Sequence, residues 1–458
     1  MDFAQHIGTP LTSNATKVLL LGGGELGKEL TAAFQRLGLE VHAVDSYPGA
    51  PALHIAHVAH VAQISDPQAV WEIASQVQPD FVVPEVEMVA VDALSRLEAE
   101  TDAVVVPTAR ACELTRDRES IRSAAESLGL PTTAYRFANS EEQLVAAVEE
   151  LGFPCIIKPD VSTSGKGHML VREPEEIASA WQKVRRVSSD SDCVVAERFV
   201  DFDYEVTLLA VRSIDPSTKE MATWFSEPIG HRHEHGDLVE SWQPMAMSQR
   251  ALENARSVAA RISNELGGRG VYGVELFVAG DDVYFSSVSP RPSDTAMLTG
   301  YTQRFSEFEL QARAILGYPI DVTLVSPGAA YVLHADDDIE DVAYQGVGQA
   351  MAVAETDVTL FGKPGAYKGR RMGLVVSTGE DIEEARDRAN VAAARIEVRG
   401  TPTAAEVVEE AQTPDIPQLH KVVLLDEPLV RVNPELTGGI DDEDEEAAVE
   451  NTTLWGRK

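Results

Sequence analysis

The run KVLLL at 17–21 is followed at once by GGGELG at 22–27. Few folds accept that combination. A short apolar run reads as a buried strand, and the Gly-rich turn sends the chain into a helix predicted through about Leu37. A second strand is predicted to end at Asp45, a helix to span 67–77, and a strand, FVVP, to span 81–84. Strand alternating with helix is the pattern of an open parallel α/β sheet. It ends near Thr115.

From Arg116 the pattern changes. A helix at about 117–128 leads through Leu130-Pro131 into a small α+β lobe. Its predicted parts are strand 155–158, a Gly-rich turn, strand 168–172, helix 174–186, and strands near 193–197 and 204–212. A long helix at 248–266 ends at Gly267-Gly268. Strands 271–278 and 283–289 pair across Gly280-Asp281-Asp282, a hairpin signal. Helix 305–315 closes this region. A third unit carries strands at 329–334, 349–354 and 373–377 and a helix at 381–396. The domains expected are 1–115, 116–325 and 326–400, with an acidic extension at 401–458. In that extension KVVLL at 421–425 suits an edge strand, while DDEDEE at 441–446 lacks an apolar anchor and is expected to be disordered. No internal repeat is found.

Of the 458 residues, 44% are hydrophobic, enough for buried cores in several domains. No apolar run approaches the roughly 18–20 residues a membrane span needs. The N-terminus, MDFAQHIGTP, has no basic region followed by an apolar stretch, so no signal peptide is expected. The net charge of −36 argues against a general nucleic-acid surface. The acids are spread through all segments, which reads as solvation. Local basic clusters therefore stand out. The three cysteines, Cys112, Cys155 and Cys193, fit no metal spacing. Cys155, within FPCIIKP, reads as a small core residue. A reducing, cytoplasmic setting is expected.

Several motifs carry chemistry. GGGELG matches G-x-G-x-x-G, with Asp45 eighteen residues beyond Gly27. That is the dinucleotide fingerprint and supports an NAD-dependent oxidoreductase as a rival reading. The physics asks only for a phosphate at a helix N-terminus. STSGKGH at 162–168 offers a flexible turn that can wrap phosphates, with Lys166 as a point charge and Lys158 just before it. The P-loop spacing is absent. Glu197 and Glu205 flank FVDFDY, either as acceptors for a ribose or an adenine amino group or as a solvated edge. Glu275 lies within VYGVELF, where a carboxylate needs a partner or a metal. Arg291 sits between two prolines, which aims it, and Asp294 follows. Lys363, Arg370 and Arg371 form a basic cluster that suits phosphate oxygens. His231, His233 and His235 alternate in GHRHEHGD. With no cysteine or fourth ligand nearby, this polar stretch reads as a mobile loop near the active site rather than a zinc site.

The strings LGGGELGKEL, VHAVDSYPGAPA, VPEVEMVA, GVELFV and SVSPRPSDT resemble the formate-dependent phosphoribosylglycinamide formyltransferases of the ATP-grasp superfamily. The resemblance runs from about Ala15 to Gly400. It implies a Rossmann-like (pre-ATP-grasp) N-terminal domain, a two-lobed ATP-grasp domain and a small C-terminal α/β domain. It also implies ATP and magnesium as cofactors, formate and glycinamide ribonucleotide as substrates, and a homodimer. By motif, Arg118, Lys158, Thr163, Ser164, Gly165, Lys166, Gly167, His168, Glu197, Arg198, Phe199, Val200 and Glu205 would contact ATP. Glu25, Leu26, Glu85, Asp294, Lys363, Arg370 and Arg371 would contact the ribonucleotide. Lys158, Lys166, Glu275 and Arg291 are assigned to the chemistry, with Glu275 as a magnesium ligand.

One departure matters. Where the family places a second magnesium-binding Glu, this chain has Ser287. Ser293 stands where the family has His, and Ala296 where it has Gly. A neutral hydroxyl is a weaker ligand, so metal binding is expected to weaken. Two alternatives stay open: a related ATP-grasp carboxylase acting on an aminoimidazole ribonucleotide, and a catalytically silent ATP-binding homologue.

Overall fold

The computed structural model describes residues 6–160, 167–187, 193–234 and 236–400. Residues 163–166 of the Gly-rich turn, His235, KVVLL at 421–425 and the acidic run lie outside the described residues.

The alternating N-terminal pattern becomes a five-stranded parallel sheet. Its order is Val58–Val61, Glu40–Asp45, Lys17–Leu21, Phe81–Pro84, Val104–Val105. Leu19, Leu20, Leu21, Val82 and Val83 are buried, as an apolar central strand pair requires. The order reverses between Lys17–Leu21 and Phe81–Pro84, and ligands of open α/β sheets bind beyond the strand ends at such a reversal. Gly22 and Glu85 are the residues that follow those two strand ends. Gly22 has φ +124°, and a Cβ there would meet Val86 Cγ1 at 2.9 Å. A Cβ on Gly27 would lie 2.2 Å from the Gly22 carbonyl oxygen. The glycines are thus explained by close packing of turn on helix Glu25–Arg36. Asp45, the acid of the fingerprint, accepts from the Gly23 N–H at 2.7 Å. It braces the turn itself.

The middle region contains two antiparallel sheets. The smaller orders Tyr135–Ala138, Val194–Arg198, Cys155–Pro159 and Met169–Val171. Helices Glu141–Leu151 and Ile177–Val187 bury Leu144, Val148, Trp181 and Val184 in one core with Cys155 and Ile157. The larger has nine strands. Its path is Asp282–Ser289, Gly270–Ala279, Tyr204–Ile214, Ile229–Glu234, Asp237–Gln243, Gly328–His334, Arg371–Thr378, Thr356–Leu360, and Met221–Phe225 pairs with Tyr204–Ile214. The strand pair Asp237–Gln243 and Gly328–His334 carries the sheet across the boundary expected near 326.

Two expectations are corrected here. The stretch read as a mobile loop, His231 to His233, lies in strand Ile229–Glu234 and forms a hairpin with Asp237–Gln243. The strand's last four residues, His231 to Glu234, are all polar, so no apolar period marks it. The strand expected at 349–354 is helix Val347–Met351 and a turn, and the strand follows at Thr356–Leu360. Gly346, at φ +82°, lies so near Arg395 that a Cβ would fall 1.8 Å from its carbonyl oxygen. That tight start turns the chain into a helix, and Ala350 joins the core beneath.

Helix Glu307–Leu316 joins this sheet to the first, because Leu310 and Ile315 share a core with Leu20, Val41, Leu209 and Val271. Its first residue, Glu307, is fully buried. One carboxylate oxygen accepts from the Ser293 N–H at 2.9 Å, and the other has no partner among the described residues. Burial pushes the Glu307 carboxyl well above its usual 4.5. A raised acid contributes stability that is complete below pH 4.5 and is lost as pH rises toward the folded-state value. Glu307→Gln keeps an acceptor for Ser293 and has nothing to ionise. The variant should match the wild type in denaturant melts near pH 4.5. It should gain on the wild type by at least about 1 kcal/mol between pH 5 and pH 8. A gap that stays constant across that range would contradict the buried, neutral carboxyl.

Candidate active site

Three strands of the large sheet set out one row of polar residues. The register pairs Ser287 with Glu275 and Glu275 with Thr207. Residues directly opposite in antiparallel strands share a face, so all three side chains project the same way. An irregularity between Glu275 and Leu276 breaks the ladder next to the acid. Bulges of this kind re-aim side chains. Ser287 Oγ donates to Glu275 Oε2 at 2.6 Å, and Thr207 Oγ1 is buried without a partner among the described residues. One row away on the same face is Glu205. Its Oε2 lies 3.2 Å from His233 Nδ1 and 3.5 Å from His231 Nδ1. Burial raises the Glu205 carboxyl, but the hydrogen bond from His233 and the charges of the two imidazoles hold it below the usual range.

The small sheet contributes cations. Lys158 is the penultimate residue of strand Cys155–Pro159 and is buried, not solvated. Its Nζ donates to Glu197 Oε2 at 2.5 Å. Arg122 NH2 donates to Glu197 Oε1 at 2.8 Å, and its NH1 donates to the Phe285 carbonyl at 2.9 Å. Burial raises the Glu197 carboxyl, but Lys158 and Arg122 outweigh it and keep Glu197 ionised well below the normal range. The solvated-edge alternative for Glu197 is therefore removed, since it is 2% exposed and both oxygens are committed. Arg118 opens helix Arg118–Ser127, donates to the Pro159 carbonyl at 3.1 Å and approaches His168 Nε2 at 3.2 Å. Burial, with Lys158 and Arg118 nearby, pushes the His168 imidazole down to about 3, so it is neutral and can accept from Arg118. Arg198 turns its Nε to the Leu151 carbonyl at 2.9 Å. Its backbone N–H is taken by the Ala134 carbonyl at 2.8 Å. Phe199, exposed, follows it, and its N–H is taken by the Pro154 carbonyl at 3.1 Å. Of the Gly-rich turn, only Gly167 and His168 are among the described residues.

At the end of the parallel sheet a second cluster forms from parts far apart in sequence. Glu25 opens the first helix, and its Oε2 accepts from Lys363 Nζ at 2.8 Å while Oε1 lies 3.3 Å from Arg371 NH2. Arg371 also pairs with Asp294. Lys363 donates again to the Arg371 carbonyl at 2.9 Å. Burial raises Glu25, but Lys363 and Arg371 bring it below the usual value. Arg370 donates to the Gly365 carbonyl at 2.6 Å and reaches Tyr47 Oη at 3.4 Å. Leu26 packs beside this cluster against the main core. Glu85 is buried without such cover, and burial raises its carboxyl well above 4.5. Arg291 is buried too and pairs with Glu87. Glu25, Asp294, Phe361 and Arg371 line one small concavity. Sequence reasoning named most of this cluster but missed Glu87 and Tyr47, and missed Arg122 on the other side. Glu87 lies in the VPEVE string and Arg122 in a helix face. Nothing local marks either as a partner of Arg291 or Glu197.

The chain is similar to known proteins over nearly all of its described length. Family models match in chain order: a ribonucleotide synthetase pre-ATP-grasp domain at 15–116, an ATP-grasp domain at 123–308 and a PurT C-terminal domain at 328–396. The formate-dependent phosphoribosylglycinamide formyltransferase of Corynebacterium efficiens is 59% identical over 404 residues, which is 87% of this chain and 100% of that protein. The structure of glycinamide-RNase-transformylase T from Mycobacterium tuberculosis is 39% identical with a TM-score of 0.71, covering 83% of this chain and 100% of its own. The N5-carboxyaminoimidazole ribonucleotide synthetase of Thermus thermophilus is 28% identical with a TM-score of 0.71, covering 82% and 98%.

Removing Arg122 tests the buried triad. Arg122→Ala leaves Glu197 with one cation and strands the Phe285 carbonyl. Breaking a buried pair costs about 3–5 kcal/mol. That loss should appear in urea melts at pH 7. Glu197 has a depressed pKa, so its stabilisation is present above pH 4.5 and is lost as pH falls further. The deficit of the variant should therefore narrow in acid. A deficit under about 1 kcal/mol at pH 7 would show that the triad contributes little.

Proposed function

The chain belongs to the formate-dependent phosphoribosylglycinamide formyltransferases, and from that premise we propose that it formylates the amine of 5'-phosphoribosylglycinamide in purine synthesis. Formate is a poor electrophile. Its oxygen takes the γ-phosphoryl group of ATP, giving formyl phosphate and ADP. The glycinamide amine then attacks the formyl carbon, phosphate leaves, and the amine gives up a proton. Identity that spans the whole corynebacterial relative carries this reading.

The residue arrangement supports it in two ways. Lys158 is held by Glu197 in a buried frame beside Arg118 and His168, a fixed cationic wall for a triphosphate. Glu25 and Asp294 meanwhile hold Lys363 and Arg371 in place with their charges balanced. A ribonucleotide phosphate would take over from those carboxylates, and the acids would then be free for the amine end. Arg291 and Glu85 belong to the same reading as groups near the reacting amine. Burial favours the protonated form of Glu85, and a protonated acid can donate a hydrogen bond, which an ionised acid cannot. The substrates, a cytoplasmic setting and a homodimer go with the same reading.

The donor set fits a hard divalent ion, short of one charge. Glu275 supplies a carboxylate, and the hydroxyls of Ser287 and Thr207 share its row. Oxygen donors of this kind suit magnesium, which would neutralise charge on the transferring phosphoryl group when bound. In the protein alone, Ser287 donates to Glu275 instead. Only Glu275 is left as an anionic ligand in that row.

The reading predicts phosphate release only when ATP, formate and glycinamide ribonucleotide are all present. No release at high magnesium would remove it. Release with bicarbonate in place of formate, on an aminoimidazole ribonucleotide, would select the carboxylase reading instead. Ser287→Glu should lower the magnesium concentration for half-maximal rate on the order of tenfold, as one restored charged ligand implies. An unchanged requirement would show that position 287 does not bear on the metal.

A further inference from the structure

We propose that Glu205, His231 and His233 form a binding site for a zinc-class transition-metal ion, separate from the magnesium donors at Glu275. One carboxylate oxygen and one ring nitrogen from each histidine all lie within 4.8 Å of one another. Glu205 Oε2 is 3.5 Å from His231 Nδ1 and 3.2 Å from His233 Nδ1. Ligands about 2.0–2.1 Å from a tetrahedral ion are about 3.3–3.4 Å apart, so both spacings suit one shared ion.

A simple hydrogen bond accounts for only half of this arrangement. His233 and Glu205 satisfy each other. His231 does not: it is 6% exposed, and neither ring nitrogen has a hydrogen-bond partner among the described residues. A polar group buried in this way without a partner is destabilising. Its Nδ1 nonetheless lies 3.5 Å from the same carboxylate oxygen that His233 uses. A cation between the three atoms satisfies His231 and removes the conflict of two imidazoles for one oxygen. The rings stand edge to face, 5.1 Å apart at 84°, so their nitrogens converge without stacking.

Strand pairing holds the ligands. Glu205 is in Tyr204–Ile214, which pairs antiparallel with Ile229–Glu234. His231 and His233, two residues apart, share a face of that strand. Glu275, on the same face, adds negative charge that favours a cation. Two imidazole nitrogens and one oxygen select zinc, cobalt or nickel over magnesium, which prefers oxygen. Three protein ligands leave a fourth position for water or another ligand. Glu205 is also a residue that the formyl-transfer reading assigns to the nucleotide. On that reading, an ion held here competes with ATP for one carboxylate.

Cobalt(II) titration of the metal-free full chain tests the site with no substrate present. The wild type should bind one cobalt per chain at this site, with the intense visible bands of a tetrahedral centre. Glu205→Gln and His233→Gln should each weaken that binding at least tenfold. His233 is partly exposed, so its variant should melt at the wild-type temperature. No tetrahedral bands in the wild type, or bands unchanged in both variants, would overturn the proposal. A second measurement concerns the competition alone. Zinc should inhibit ATP-dependent phosphate release, and His233→Gln should raise the half-inhibiting concentration at least tenfold. If the chain releases no phosphate, the formyl-transfer reading fails while the cobalt spectra still decide the site.

Discussion

The buried carboxylate of Glu197 ties together parts that would otherwise be independent. It accepts from Lys158 on one strand of the small sheet and from Arg122 on helix Arg118–Ser127. Arg122 then reaches the Phe285 carbonyl on the edge strand of the large sheet. One anion between two cations thus joins two sheets and a helix. Burying these charges is costly, and only mutual pairing offsets it. A well-packed apolar cluster could hold the same elements at less cost. It could not leave a lysine fixed and charged beside the space where phosphates are expected. The frame is better understood as positioning than as stabilisation.

The second cluster follows the same logic with different parts. Glu25 lies at the reversal point of the parallel sheet, where the order of strands opens a crevice. Lys363 and Arg371 come from the other end of the described chain. Their charges are balanced by Glu25 and Asp294, so the basic cluster is folded and held before any ligand arrives. Preorganisation of this kind removes ordering cost from binding. It also explains a basic cluster in a chain with a net charge of −36: its positive charge is local and compensated.

What the sequence made legible was whatever buries apolar surface with a regular period. KVLLL, FVVP and CIIKP could only be strands, and the Gly280 hairpin follows from its turn. Chemistry-bearing residues in unusual local settings were legible too, such as Glu275 in an apolar strand and Lys363 in a basic cluster. The strand carrying His231 and His233 was not, because four successive polar residues, His231 to Glu234, leave it no apolar face to announce it. Arg122 and Glu307 were missed for another reason. A charged residue on a helix reads as solvent-facing unless its partner is known, and their partners, Glu197 and Ser293, come from other elements. The acid of the dinucleotide fingerprint misled in the same way: only the fold shows Asp45 turned onto Gly23.

On the proposed reading of Glu275 as a magnesium ligand, position 287 shows how one side chain alters the state from which a metal would bind. Two carboxylates facing each other across paired strands repel, and a divalent ion relieves that repulsion as it binds. Serine removes the repulsion in advance. Its hydroxyl donates to Glu275 at 2.6 Å, so the acid is already partnered. An ion must then displace a hydrogen bond to a charged group, worth about 1.5–3 kcal/mol, and gains one negative ligand fewer. Both effects act in the same direction, toward weaker magnesium binding. Neither alters the sheet register that presents Glu275, because the pairing of Glu275 with Ser287 depends on backbone hydrogen bonds and not on the side chain at 287. The substitution therefore changes the charge of the site while leaving its scaffold intact.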